Sequence, residues 1–159
     1  MHTRMRYPYL LTAVATILAL GVGVTAFAQQ AGTWKLNVAK STYHKGQAPK
    51  SMTLMYEPAG EGIKVTVDSV PTDGAPIHYA YAANYDGKDN PVVGNPNADM
   101  AARTRVNATT TQLVNKKEGK TLSNVTLVTS SDGKTLTITT KGTDAQGQNI
   151  DSVAVYDKQ

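Results

Sequence analysis

The stretch GIKVTVDSVPTDGAPIHYAYAA, residues 62–83, decides the fold of this 159-residue chain. Apolar residues at Ile63, Val65 and Val67 alternate with polar ones, and the alternation returns after a break at Ile77, Tyr79, Tyr81 and Ala83. A period of two places apolar side chains on one face of a β-strand. The break contains an Asp-Gly pair, which tolerates the backbone of a tight turn. The stretch therefore predicts an antiparallel hairpin with one buried face.

Turn signals of the same kind recur along the chain. The pairs that join an acidic or amide residue to glycine are Glu61-Gly62, Asp73-Gly74, Asp86-Gly87, Glu118-Gly119, Asp132-Gly133 and Gln146-Gly147. Their spacing is 12 to 14 residues, except for one long gap. That gap contains two further breakers, at 94–99 and 107–110, and alternating segments also occur at 34–38, 52–56 and 135–139. Short turns between alternating segments favour an antiparallel meander.

A meander leaves two unpaired strand edges unless its sheet closes. We therefore predict an all-β fold, an up-and-down barrel of about 8–10 strands. A two-layer sandwich is the alternative, but it needs longer crossing connections than these turns provide. In residues 121–128 and 150–156 both faces carry apolar residues, so the sequence does not separate inside from outside there.

The first residues predict a secretory signal peptide. Arg4 and Arg6 precede a charge-free run at 10–24, and Ala26-Phe27-Ala28 supplies the small-x-small pattern of a cleavage site. The run is shorter than the roughly 20 apolar residues of a membrane span. We expect cleavage after Ala28, no stable membrane anchor, and a periplasmic or secreted protein.

The predicted division of the chain is a signal peptide at 1–28 and one barrel domain at 29–159. The domain is long enough to bury a core, and it must do so without disulfides because the chain has no cysteine. Arg4 and Arg6 account for two of the four net positive charges. The remaining charge is nearly balanced and gives no reason to expect nucleic acid as a partner.

Gly32-Thr33-Trp34, at the head of the first alternating segment, resembles the Gly-x-Trp signature of the lipocalins and fatty-acid-binding proteins, the calycins. The Val-x-Val-Tyr pattern at 153–156 resembles their closing strand. The resemblance implies a small barrel in which Trp34 packs across the base and plugs one end. The chain as a whole is similar to lipocalin-like secreted proteins of environmental bacteria.

Two features depart from that group. Fatty-acid-binding proteins insert a two-helix lid after the first strand, and residues 39–50 are too few to form one. Lipocalins usually stack a late arginine on the tryptophan, whereas this chain offers only Lys141 and Lys158.

Arg103 and Arg105 are the only arginines after the predicted signal. Positions i and i+2 share one face of a strand, so the two guanidinium groups could bind a carboxylate or phosphate together. The alternative is an outward charged face, with the inward positions taken by Met100, Ala102, Thr104 and Val106.

The tyrosines are the second group of candidate ligand-binding residues. Tyr79 and Tyr81 share a face, and Tyr56 and Tyr156 join them if the meander closes. Tyrosines would give a pocket an apolar wall with hydroxyl groups. The alternative is an ordinary packed interior.

The sequence offers no metal or cofactor motif. His44 and His78 are isolated, and the alternation predicts that His78 faces water. The pattern at 95–99 begins like a calcium loop but lacks its glycine and its final glutamate, so we interpret it as a turn. Nucleophile, phosphate-loop and dinucleotide motifs are absent. We expect no cofactor, and the sequence gives little support for an enzyme.

Three functions remain open. The first is an exported barrel that binds a small apolar or amphipathic ligand, with an anionic ligand as one option. The second is a packed barrel without a ligand, which acts on a protein partner or in the cell envelope. The third is a cofactor-free isomerase or cyclase that uses the barrel cavity. A large cavity open at the end away from Trp34 would favour the first, and a filled centre the second.

Overall fold

A computed structural model describes residues 27–159, and side chains from residue 29 onward. Most of the predicted signal peptide lies outside this part of the chain. A one-turn helix, α1 at Phe27–Gln30, precedes eleven strands. The strands are β1 Gly32–Leu36, β2 Thr42–Lys45, β3 Ser51–Ala59, β4 Gly62–Val70, β5 Ile77–Ala83, β6 Asp86–Pro91, β7 Met100–Arg105, β8 Thr110–Lys117, β9 Lys120–Thr129, β10 Thr135–Thr143 and β11 Asn149–Lys158. Over the described range, no helix combines the length and apolar character that crossing a membrane requires.

The strands form one antiparallel sheet whose order confirms the predicted meander. The order is β5-β4-β3-β1-β11-β10-β9-β8-β7-β6, and β2 pairs with β11 outside this path. The first strand lies between β3 and the last strand, so the two ends of the domain are hydrogen-bonded to each other. Ten strands in this order close into the small barrel that the sequence predicts.

The two ends of the path, β5 and β6, meet along a narrow seam. In the described part of the chain, the backbone pairing across this seam is one bridge between Ala80 and Val93, in which each N–H donates to the other's carbonyl at 3.0 Å. Next to the bridge, Gly94 has a φ of 90°, and a Cβ there would lie 2.5 Å from the His78 carbonyl oxygen. The seam is thus the weakest part of the barrel wall.

Five of the six predicted turn pairs lie at or beside hairpin connections between consecutive strands. The exception is Asp86-Gly87, which begins β6 at an irregularity in its pairing with β7. The breaker at 107–110 forms the β7–β8 turn, where the Asn107 side chain accepts hydrogen bonds from the backbone of Thr109 and Thr110.

The inward faces follow the predicted alternation, and the structure decides the two ambiguous segments. In β9 the inward residues are Ser123, Val125 and Leu127, whereas Val128 is outward and 40% exposed. In β11 the inward residues are Ser152, Ala154 and Tyr156.

The connection from β1 to β3 contains no helical lid. It consists of one 3-10 turn at Val38–Lys40 and the short strand β2. Asn37 fixes the turn: its side-chain oxygen accepts from the Lys40 N–H at 3.1 Å, and its amide donates to Asp157 at 2.7 Å. The connection therefore runs along β11, as expected for a segment too short to form a lid.

Candidate functional site

Trp34 is buried at the base of the barrel, with 0% of its surface exposed. Its indole N–H donates to the Gln30 carbonyl in α1 at 2.8 Å. The Lys158 ammonium lies 5.2 Å from the ring centroid. A Cβ on Gly32 would lie 3.0 Å from the Lys158 side chain. The glycine of the Gly-x-Trp pattern therefore leaves room for the lysine that packs on the indole.

Gln30 completes the base from the other side. Only 4% of it is exposed. Its amide nitrogen donates to the Thr111 hydroxyl at 3.4 Å, and its amide oxygen accepts from the Tyr85 hydroxyl at 3.3 Å. One side chain from α1 thus joins β8 to the start of β6 beneath the cavity.

Arg103 points into the barrel and is 0% exposed, so the outward alternative does not describe it. Its guanidinium donates to the Tyr81 hydroxyl at 2.9 Å and lies 5.4 Å from the Tyr56 ring centroid and 5.8 Å from that of Tyr85. Its Nε and second Nη atoms have no hydrogen-bond partner among the described residues. The interior therefore contains a cation that is compensated by aromatic faces and a phenol oxygen.

Arg105 lies on the same face of β7 and nearer the base. Its guanidinium carbon is 3.9 Å from the centroid of the Tyr85 ring, a cation–π distance. Both arginines therefore share Tyr85, and the two predicted guanidinium groups do face the same side.

A cavity of about 440 Å³ fills the barrel above these residues. Its wall contains all four predicted tyrosines and a larger set of aliphatic side chains; those deepest in the barrel are Leu54, Val65, Val67, Leu113, Val125, Leu127 and Ile138. Trp34, Arg103 and Arg105 are not on the wall. Tyr81 lines the cavity and accepts from Arg103, which lies behind it.

Burial raises the pKa of three tyrosines of the wall, Tyr56, Tyr79 and Tyr156. Burial raises the pKa of Tyr56 to about 12, although the charge of Arg103 opposes part of this shift. Because neutral phenols both donate and accept hydrogen bonds, the lower wall offers polar contacts without adding charge. The Tyr156 hydroxyl donates a hydrogen bond to the Met52 sulfur at 2.9 Å.

The upper wall contains polar residues that the sequence analysis did not single out. Four of them lie on the consecutive strands β8 to β11, and we call them the polar arc: Asn115, Ser123, Thr140 and Ser152. Two of the four, Ser123 and Ser152, lie in the segments whose inward face the sequence left undecided. Knowledge of the register would have identified them, because it fixes which alternating positions point inward.

The mouth of the cavity lies at the loops opposite Trp34. It is lined by residues of the β4–β5, β6–β7 and β10–β11 connections, among them Thr72, Asp73, Asn95, Asn97 and Thr143. The Asn97 side chain accepts from the Ala145 N–H at 3.3 Å, which joins two of these loops. The opening is therefore at the end away from Trp34.

The remaining candidates from the sequence are the histidines, which lie away from the cavity, and the calcium-like loop at 95–99, which forms a turn at its mouth. His78 is exposed and lies 2.7 Å from Asp68 on the outer face. The Asn95 side chain accepts from the Asn97 N–H at 2.8 Å, which is a turn contact. Among the described residues, no three His, Cys, Asp or Glu side chains are grouped so that they could hold a metal ion.

No protein-family model and no curated protein matches the sequence. Two solved structures are similar to it in fold. A redesigned β-barrel, mFAP1, bound to DFHBI is 14% identical, with 84% of this chain and 99% of that chain covered and a TM-score of 0.45. The zebrafish ileal bile acid-binding protein, complexed with cholic acid, is 13% identical, with 82% and 99% covered and a TM-score of 0.47.

Proposed function

We propose that this protein is an exported barrel that binds one small amphipathic molecule in its central cavity. The observation that carries the proposal is the cavity itself, about 440 Å³ in volume and open at one end. Small-molecule sites in proteins are concave, largely apolar and roughly 300–1,000 Å³ in volume, with a few polar groups that orient the ligand. The wall of aliphatic residues and neutral tyrosines has this composition.

The cavity also argues against the alternative of a packed, ligand-free barrel. Protein interiors are normally close-packed, and the space left by even one deleted side chain is destabilising. A barrel needed only for its outer surface would be more stable with larger residues in place of Ala154 and Ser152, which line the void. Small residues at these positions favour a site that is kept open for a ligand.

The predicted role of Arg103 and Arg105 as anion-binding residues stays a prediction. Both lie below the wall, and an anion in the cavity would meet the Tyr81 hydroxyl first. Because this phenol accepts a hydrogen bond from Arg103, its own proton is left to donate to a group in the cavity. An anionic ligand would therefore be bound through Tyr81 with the arginine behind it.

The proposal is tested with the neutral fluorescent probe N-phenyl-1-naphthylamine and two phenylalanine variants on β9. Leu127→Phe adds volume to the cavity wall, whereas Val128→Phe adds the same kind of side chain to the outer face. We expect the inward variant to weaken probe binding at least tenfold and the outward variant to leave the dissociation constant unchanged. Denaturant unfolding of both variants checks that they are folded.

A second inward variant, Ala154→Val, keeps the test decisive if Leu127→Phe does not fold. The proposal is wrong if the probe does not bind, or if it binds equally well to the unmodified protein and to a folded inward variant. Native mass spectrometry of protein recovered from its own periplasm gives an independent readout, because a retained ligand would appear as added mass.

A further inference from the structure

The upper half of the cavity has one side lined mainly by polar residues and one lined mainly by apolar residues. The polar side is the polar arc, Asn115, Ser123, Thr140 and Ser152, on strands β8 to β11. The facing side is formed by β3, β4 and β5 and is mainly aliphatic, with two hydroxyl groups, of Ser69 and Tyr79, among Met52, Leu54, Val67 and Ile77. We propose that the ligand is uncharged and carries hydroxyl groups along one side, which bind the polar arc.

The strand register makes the polar arc continuous. Asn115 lies directly opposite Ser123, and Thr140 lies directly opposite Ser152. Ser123 pairs with Gly142, two residues beyond Thr140, so these two members are diagonal neighbours. Opposite residues in antiparallel strands have Cβ atoms about 4.5–5.5 Å apart, and diagonal ones are within reach of each other. The four side chains therefore form one row rather than scattered polar positions.

Most hydrogen-bonding capacity of the row is unused. Asn115 donates to the Ser123 hydroxyl at 3.1 Å. Across residues 27–159, no side-chain hydrogen bond involves the hydroxyls of Thr140 and Ser152, although both line the cavity. Hydroxyls on a cavity wall bind water when the cavity is empty, and a ligand that displaces this water must replace its hydrogen bonds. A purely apolar ligand would leave them unpaired, at the cost of desolvating each hydroxyl.

The charges around the cavity favour a neutral molecule. Of the described residues on its wall, Asp73 alone is charged, and it is an exposed acid at the mouth. The buried cation, Arg103, lies off the wall behind Tyr81, and its position on β7 is diagonal to Asn115 on β8. A carboxylate beside Thr140 and Ser152, the members of the arc farthest from β7, would have no cation on the wall to pair with, and an unpaired buried charge costs far more than a hydrogen-bonded hydroxyl.

This inference rests on the proposed function and names its ligand class, so the experiment separates the two. The probes are monodecanoylglycerol, which is neutral and carries two hydroxyls, and decanoate, which has the same chain and a charge. Dissociation constants are measured by displacement of N-phenyl-1-naphthylamine from the purified protein. We expect monodecanoylglycerol to bind at least tenfold more tightly than decanoate.

The variant Thr140→Val tests the arc directly, and Thr139→Val is its matched control. Both remove one hydroxyl from β10, but only Thr140 faces the cavity. A neutral hydrogen bond contributes about 1 kcal/mol, so we expect roughly fivefold weaker binding of monodecanoylglycerol to Thr140→Val and no change for Thr139→Val. Ser152→Ala supplies the second variant if Thr140→Val is poorly folded.

The outcomes are distinct. If decanoate binds more tightly than monodecanoylglycerol and Tyr81→Phe weakens decanoate binding, the ligand is anionic and is bound through Tyr81. The inference is then wrong, while the proposed function stands. Equal affinities of the two probes, or no effect of the arc variants, also contradict the inference. If no probe binds, the proposed function is itself wrong.

Discussion

Arg103 is a fully buried cation in the interior of the barrel, surrounded by aromatic rings. Its guanidinium is buried among Tyr56, Tyr81 and Tyr85, and it forms no ion pair with a carboxylate in the region the structure describes. A buried charge without a counter-ion is costly, and aromatic faces and a phenol oxygen offset that cost only in part. The tyrosines offer the cation their electron-rich faces, and its hydrogen bond orients the Tyr81 hydroxyl.

The raised pKa of Tyr56 predicts how the stability of the protein changes at alkaline pH. Its pKa is about 12 in the folded protein, because burial disfavours the phenolate, and about 10 in an unfolded chain. A pKa raised by folding means that the stabilisation is complete below pH 10 and is lost as the pH rises towards 12. We expect the free energy of unfolding to fall over this window.

The measurement is urea unfolding at several pH values from 9 to 12. One group contributes about 1.4 kcal/mol per pH unit between its two pKa values, so Tyr56→Phe should make the decline shallower by that amount. Tyr43→Phe is the matched control, because Tyr43 is only half-buried and its pKa is raised less. Identical slopes for the unmodified protein and Tyr56→Phe would contradict the assignment.

At the scale of elements, the seam between β5 and β6 distinguishes this barrel from a fully hydrogen-bonded one. All other neighbouring strands of the path share a ladder of at least three paired residues. At the seam there is one bridge, between Ala80 in β5 and Val93, which lies two residues beyond the end of β6. A single bridge contributes little stability by itself. The seam is therefore the part of the wall that we expect to open first under native conditions.

Gly94 makes the seam testable, and Gly74 provides a control. Both glycines have positive φ, 90° and 100°, so an alanine at either position has a similar backbone cost of about 1–2 kcal/mol. The added Cβ would meet the His78 carbonyl at 2.5 Å in one case and nothing within 4 Å in the other. We expect Gly94→Ala to lose at least 2 kcal/mol more stability than Gly74→Ala, by denaturant unfolding.

Hydrogen exchange locates the effect of the Gly94 variant. The Ala80 amide donates across the seam to Val93, so its exchange should accelerate in Gly94→Ala and stay unchanged in Gly74→Ala. Equal losses of stability and equal Ala80 exchange in the two variants would show that the seam is not held by the close approach of Gly94.

At the scale of the whole molecule, the barrel is closed at one end by residues from both termini. Gln30 binds Trp34, Thr111 and Tyr85, and Lys158 packs over the same indole. In a chain without cysteine, hydrogen bonds and packing perform the closure that disulfides provide in many exported domains. The base therefore includes Gln30, which lies on the domain side of the predicted cleavage site.

This arrangement makes cleavage after Ala28 compatible with an intact base, and cleavage there is our prediction for export. The protein recovered from the periplasm of an expressing bacterium should begin at Gln29, as read by mass spectrometry of its N-terminal peptide. Ala28→Arg should block processing, because the peptidase requires a small residue there, and Ala31→Arg should not. An unprocessed chain in the membrane fraction would contradict both the cleavage and the export.

The alternation and the turn pairs were sufficient to predict an all-β meander and the shared face of Tyr79 and Tyr81. Alternation with a period of two and regularly spaced Asp-Gly pairs act over a few residues, so they can be read without knowing what lies across the sheet. The inward faces of β3, β4 and β5 follow for the same reason. The Gly-x-Trp resemblance placed Trp34 at the base, where the structure has it.

Three features required the tertiary structure. They are which residues of β9 and β11 face inward, how deep the two arginines lie, and the polar arc. On β9 and β11 both faces carry apolar residues, so the alternation is equally consistent with either orientation, and pairing with β10 settles it. The height of Arg103 relative to the cavity depends on the register of β7 against β8, and on the side chain of Tyr81, which comes from a distant strand. Register arises from contacts between residues far apart in the chain, and no local pattern encodes it.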